Sequence, residues 1–170
     1  MRYLVTGSQM RAIDQDTIQN IGIPSLVLME RAAECVARKA EQLCDQKTLQ
    51  ILAICGVGNN GADGVAAARM LYLHGFDVLV VVVGNEAHAT KEFEVQKGIA
   101  EKLEIPVVDL EHFLHGEDEQ KAGDCAIIDA VFGVGLSRDV EGTYAAVLDW
   151  INKAETEWVL AVDMPSGIHS

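Results

Sequence analysis

The run Leu49-Gln50-Ile51-Leu52-Ala53-Ile54-Cys55, continued by Gly56-Val57-Gly58-Asn59-Asn60-Gly61-Ala62-Asp63-Gly64, decides how this chain folds. Its first part is short and apolar, the mark of a strand buried on both faces. An alanine-rich segment reaching about residue 73 follows and reads as a helix. Between the two, Gly56, Gly58 and Gly61 stand in the pattern G-x-G-x-x-G. With a strand before it and a helix after it, the pattern carries a mechanism. Glycine lets the backbone approach a phosphate closely, and the helix start offers unpaired N–H groups and the positive end of a dipole. A tight turn alone would account for the glycines. It would not ask for two asparagines and an aspartate as well.

Outward from this unit the alternation continues. Residues 77–83, an aspartate followed by an unbroken apolar run, predict a second buried strand, and residues 91–103 a helix. Residues 105–108 predict a short strand, placed at a sheet edge by Pro106. Residues 125–130 are a further strand, Tyr144, Val147, Leu148 and Ile151 mark a helix, and residues 158–162 the last strand. Apolar strands alternating with helices define an α/β fold, Rossmann-like, with a mainly parallel sheet covered by helices on both faces. Two helices precede it. The first starts at Ser8-Gln9-Met10-Arg11, carries Met10, Ile13, Thr17 and Ile18 at helical spacing, and ends at Gly22. The second covers residues 26–43 after Pro24, with Ser25 as its expected N-cap. Its apolar start, Leu26-Val27-Leu28-Met29, must pack on the domain or on a partner subunit. Repeats, low-complexity tracts and linkers are absent, so residues 1–170 read as a single domain.

Composition narrows the function classes. With 49% hydrophobic and 23% charged residues the chain is not of the disordered kind. Thirteen Lys and Arg against 26 Asp and Glu give a net charge of −13, which repels nucleic acid and anionic lipid. The longest apolar run, near residues 78–83, falls far short of the ~20 residues a membrane span requires. The start of the chain has no apolar stretch of the signal-peptide kind. Cys35, Cys44, Cys55 and Cys125 show no C-x-x-C or zinc spacing, and Cys55 and Cys125 fall inside strands as buried thiols. A reducing cytoplasm is the expected compartment.

In a parallel sheet ligands bind beyond the carboxyl ends of the strands. Three turns follow strands in this way. The first is the glycine turn. The second is Asp129-Ala130-Val131-Phe132-Gly133-Val134-Gly135-Leu136-Ser137-Arg138-Asp139, in which Arg138 is placed to meet a phosphate. Asp129 there needs a cation or hydrogen-bond donors, or is a satisfied structural residue. The third is Asp163-Met164-Pro165-Ser166-Gly167. One cleft is expected to collect Asn59, Asn60, Asp63, Asp129, Asp163 and Ser166. Such an oxygen-rich set suits a hard cation rather than zinc, and its carboxylates suit acid–base chemistry. Other signals weigh less. Glu86 is the only candidate for a ribose-binding acid of a dehydrogenase and stands late for it. His112 and His115 lack a third metal ligand nearby, and Trp150 and Trp158 read as core or subunit contacts.

Met10-Arg11-Ala12-Ile13-Asp14, Gly22-Ile23-Pro24-Ser25-Leu26-Val27-Leu28-Met29-Glu30-Arg31-Ala32, Gly58-Asn59-Asn60-Gly61-Ala62-Asp63-Gly64, residues 129–142 and Asp163-Met164-Pro165-Ser166-Gly167 together resemble the NAD(P)H-hydrate epimerases. The resemblance runs over essentially the whole chain. It implies an isomerase that interconverts the R and S epimers of hydrated NADH or NADPH, so that a stereospecific dehydratase can restore both. Members occur alone or fused ahead of such a dehydratase. The substrate contacts it implies are Asn59, Asn60, Gly61, Ala62, Asp63, Gly133, Val134, Gly135, Leu136, Ser137, Arg138, Asp139 and Asp163. Asn60, Asp129 and Ser166 would ligate a potassium ion. Asp163 is the first choice for the acid–base group and Asp63 the second. The family pattern also implies a homodimer. It differs from this chain in two respects. Ala62 stands where a glycine is usual, which implies a turn held tighter on its ligand. The family domain also continues beyond the Pro-Ser-Gly turn, so the C-terminal part of the domain is expected to be missing here. Two other readings compete: a non-catalytic nucleotide-binding or scaffolding module of the same fold, and an NAD-dependent dehydrogenase.

Overall fold

Residues 51–56 and 78–83 contain no exposed position. Strands of that kind need a neighbour on each side and a layer on each face. The computed structural model, which describes residues 4–44, 49–115, 125–136 and 139–168, supplies both. Strands β1 (Gln50–Gly56), β2 (Asp77–Val83), β3 (Val107–Asp109), β4 (Cys125–Ala130) and β5 (Thr156–Ala161) form one sheet in the order β3-β2-β1-β4-β5. Every pairing is parallel. The register sets Cys55 beside Val82 and Ala130, and Ile54 beside Asp129. The sheet is an all-parallel Rossmann-like one. The expected edge strand is at the edge, where the Pro106 carbonyl accepts a hydrogen bond from Val80 N–H at 3.0 Å.

Helices α2 (Ser25–Leu43), α3 (Asn59–Leu73) and α4 (Lys91–Lys102) cover one face, and α5 (Leu110–His115) and α6 (Gly142–Lys153) the other. Strand alternation divides the core accordingly. Ile51, Ala53 and Cys55 face the α2–α3–α4 layer, and Leu52 and Ile54 the α5–α6 layer. Both Cys55 and Cys125 are buried, as the sequence led one to expect. Helix α1 (Gly7–Asp16) runs into a π-helical turn, Thr17–Ile21, and then Gly22, whose φ of 88° only glycine adopts easily. Neither α1 nor that turn contains a buried residue.

One local reading changes, and one helix was not foreseen. The N-cap of α2 is Pro24, with no capping side chain, because the Ser25 hydroxyl donates instead to Glu92 Oε1 of α4 at 2.8 Å. The segment holding His112 and His115 is a short helix, α5, docked by the buried Leu110 and Phe113. Phe113 meets Trp150 edge-on at 5.1 Å, so Trp150 is a core contact. Trp158 is half-buried against the α2–α3–α4 core. Among the described residues no helix is long and apolar enough to cross a membrane.

Candidate active site

The crossover from β1 through α3 runs on one face and the crossover from β4 through α6 on the other. The sheet therefore parts its connections between β1 and β4, and a crevice opens there at the carboxyl edge. A cleft of about 960 Å³ occupies this position. Its floor is the glycine turn. A Cβ on Gly61 would lie 1.6 Å from Gly56 O, one on Gly56 2.4 Å from Val131 O, and one on Gly64 2.4 Å from the Ala130 methyl. These three glycines are fixed by backbone packing that seats α3 on β1 and β4. Gly58 is different, for nothing lies within 4 Å of its Cβ position. It faces the open cleft as the N-cap of α3, whose first turn has no side-chain cap. The helix start is thus free to meet an anion.

Asn59, Asn60, Asp63 and Asp163 line this cleft, together with Gly133, Val134, Gly135 and Leu136. Asp163 and Asn60 converge on Gly133, where a Cβ would stand 2.6 Å from Asp163 Oδ2 and 3.4 Å from Asn60 Oδ1. Asp163 Oδ2 also accepts a hydrogen bond from Val134 N–H at 2.8 Å. Asn60 Oδ1, Asn60 Nδ2 and Asp63 Oδ1 are buried and have no hydrogen-bond partner. Buried polar atoms in that condition are costly unless a ligand or solvent meets them. Burial raises the Asp63 carboxyl from its ordinary value near 3.8 to about 7, and the negative charges of Asp163 and Asp14 add to the rise. Asp63 is therefore poised to give or take a proton near neutral pH.

Asp129 and Ser166 do not join the cleft. Asp129 lies one strand position from Ile128 and so projects to the α5–α6 face, opposite α3. There it is buried and closed by donors. Ser166 Oγ donates to Oδ1 at 2.6 Å, Ser166 N–H to Oδ2 at 2.8 Å, and Val131 N–H to Oδ1 at 3.3 Å. The pair lines a separate cavity of about 260 Å³ next to α6 and β5. The 132–133 backbone stands between the two sites: Phe132 N–H donates to Ser166 Oγ at 2.8 Å while Gly133 faces Asn60. Among the described residues no cluster of three or more His, Cys, Asp or Glu side chains is arranged to hold a metal ion.

Gly61 and Ala62 are buried, and the Ala62 methyl points into the α2–α3–α4 core. It therefore leaves the cleft as wide as a glycine would. Asp139 is exposed and away from the cleft lining, and Ser137 and Arg138 lie outside the described residues. Glu86 forms an ion pair with Lys97 at 3.0 Å and is not part of the cleft lining. The sequence reading missed Met10, Arg11 and Asp14 of α1 and Tyr144 of α6, all of which line the cleft. Met10, Arg11 and Asp14 belong to a stretch that carried the family resemblance, and Arg11 and Asp14, three residues apart, share a helix face.

The chain is thus a Rossmann-like α/β domain with an uncapped glycine turn and two carboxylates at its switch point. The model of the family described as YjeF-related protein N-terminus matches residues 25–170, and the chain belongs to that family. It is 45% identical over 166 residues to a protein of Limosilactobacillus fermentum named NAD(P)H-hydrate epimerase, covering 98% of this chain and 76% of the relative. A protein of the same name from Oenococcus oeni is 39% identical, with 98% and 75% covered. One from Limosilactobacillus reuteri is 42% identical, with the same coverage. The crystal structure of a yeast protein superposes with a TM-score of 0.84 at 22% identity, over 98% of this chain and 72% of that one. That likeness bears out the fold.

Proposed function

We propose that this chain is an NAD(P)H-hydrate epimerase, an isomerase of hydrated NADH and NADPH in the repair of these cofactors. The observation that carries the reading is the pair Asp63 and Asp163 on one cleft, the first held near 7 partly by the charge of the second. Inverting a ring carbon that bears a hydroxyl requires its C–O bond to break and to form again from the other face. Asp63, protonated in part at neutral pH, gives a proton to the departing hydroxyl, which leaves as water while the neighbouring ring nitrogen supplies the electron pair. Asp163, anchored by Val134 N–H, accepts the proton of the water that returns on the opposite side. One proton is given and one taken, and solvent re-equilibrates the two carboxyl groups. This division gives the two aspartates complementary roles.

The α3 N-terminus and loop 133–135 are the parts that would hold the nucleotide, through backbone N–H groups rather than through net charge. The expected potassium ligands do not come together as one site, for Asn60 Oδ1 lies buried and unpartnered on the cleft, while Asp129 and Ser166 bond each other in the separate cavity. The Ser166 hydroxyl is engaged by Asp129 and Phe132, so Ser166 is the weakest member of the set. The exposed apolar residues Ile21 and Ile23 ahead of α2 and Val27 in its first turn support a homodimer, and cysteines without C-x-x-C spacing support a reducing cytoplasm.

The test is direct. One purified epimer of hydrated NADH is incubated with the protein and the other epimer is followed by chromatography. Conversion faster than the spontaneous rate is expected, and Asp163→Asn should lose most of it. A folded wild-type protein that leaves the spontaneous rate unchanged would put the non-catalytic binding module in its place.

A further inference from the structure

The charges around the cleft do not match an anionic ligand. Among the described residues that line it, Asp14, Asp63, Glu92 and Asp163 are acidic, and Arg11 is the only cation. The whole chain carries −13. On the reading above, the ligand brings a diphosphate into this setting.

Arg11 is placed and free to meet it. It projects from α1 at the cleft mouth, and its Nη2 donates a long 3.5 Å hydrogen bond to Val134 O. Val134 N–H is the group that holds Asp163, so Arg11 stands at the same glycine loop as that carboxylate, on the other side of one residue. Gly7 of α1 reaches this residue too, its Cβ position lying 3.5 Å from Val134 Cβ. Arg31, Arg38, Arg69, Lys97 and Lys153 are held in ion pairs with carboxylates, and Lys39, Lys91 and Lys102 do not line the cleft. Arg11 has no carboxylate partner among the described residues. A guanidinium offers five N–H donors in a planar fork suited to phosphate, and the Val134 contact uses one of them. An arginine without a carboxylate partner, and the one cation among the described residues of the lining, has the chemistry of an anion anchor.

We propose that Arg11 is a binding residue for the diphosphate of the dinucleotide. The proposal rests on the epimerase reading for its natural ligand, yet its test does not depend on turnover. Arg11→Gln and Arg11→Lys are compared with wild type, and Arg31→Gln serves as a control of equal charge change on the exposed face of α2. Binding of ADP-ribose and of adenosine is measured by calorimetry at several salt concentrations, and KM and kcat are measured with hydrated NADH.

Arg11→Gln should weaken ADP-ribose binding and raise KM about tenfold, the usual worth of one charge-assisted contact. It should leave kcat within about twofold and flatten the salt dependence of ADP-ribose binding. Adenosine binding should not change. Arg11→Lys, which keeps the charge and loses the fork, should fall between. Arg31→Gln should match wild type.

An arginine that merely fastens α1 to Val134 would weaken ADP-ribose and adenosine alike and leave the salt slope intact, and that result overturns the proposal. So does a wild-type protein that does not bind ADP-ribose, or one that epimerises with a KM indifferent to Arg11→Gln. Binding of ADP-ribose that depends on Arg11 in a protein without epimerase activity keeps the anchor and removes the epimerase reading.

Discussion

Replacing Asp63 with Asn removes a carboxyl group that the fold holds at a cost, and the cost depends on pH. In the unfolded chain Asp63 ionises near 3.8, and in the folded chain near 7. Between these values the unfolded state has lost a proton that the folded state keeps. The unfolded state then binds fewer protons, so stability falls as pH rises. Below 3.8 the group costs nothing, and above about 7 the penalty is complete and constant. A rise of this size corresponds to about 4 kcal/mol at about 1.36 kcal/mol per pH unit. The cleft is open to water, which screens the charge, so roughly half, about 2 kcal/mol, is the expected effect. For a chain of 170 residues this is about 4–8 °C in Tm. Thermal unfolding followed by circular dichroism from about pH 4 to pH 8 checks it. Wild type and Asp63→Asn should melt together at the acid end and separate through the range, with the variant more stable at the alkaline end. A difference that does not change with pH, or a variant less stable at about pH 8, refutes the argument. The same variant should lose epimerase activity, so stability and activity move in opposite directions.

Gly61→Ala places a methyl 1.6 Å from a carbonyl oxygen in a backbone contact that cannot yield, and should cost about 3 kcal/mol or more in urea unfolding. Ser166→Ala withdraws the hydroxyl donor from the buried Asp129 and the acceptor from Phe132 N–H, a loss of about 1–3 kcal/mol measured the same way. A thiol reagent should label exposed Cys35 in the native protein. It should reach Cys55 only after unfolding, because burial, and then the charge of Asp129, pushes that thiol well above the ordinary range.

How much of this was legible beforehand differs from residue to residue, for physical reasons. The β–α alternation was readable because a strand covered on both faces must be apolar throughout, as residues 78–83 are. Asp63 and Asp163 were readable because both follow strands, and a parallel sheet sends such residues to one edge. Asp129 also ends a strand, and the same logic assigned it to the cleft wrongly. Its parity with Ile127 was visible in the sequence, but which face α3 would cover was not, since that depends on how the crossovers wind. Helix α5 offered too little pattern, with only Leu110 and Phe113 buried among polar neighbours. Arg11 and Asp14 were hidden for a further reason. A helix without buried residues leaves no periodic signature of the surface it lies against.

Glu30 of α2 accepts from Arg69 of α3 at 2.6 and 2.7 Å and from Gln96 of α4 at 3.0 Å, while Ser25 and Glu92 join α2 to α4 a second time. Three helices tied to one another in this way, over a shared core, move as one body. The cleft accordingly has one stiff wall, which fixes the first turn of α3, and one loose wall, α1, swung on Gly22. Opening such a helix exposes almost no core, so its free-energy cost is small beside that of global unfolding. Displacing α1 would therefore open the cleft and leave the sheet and its core intact.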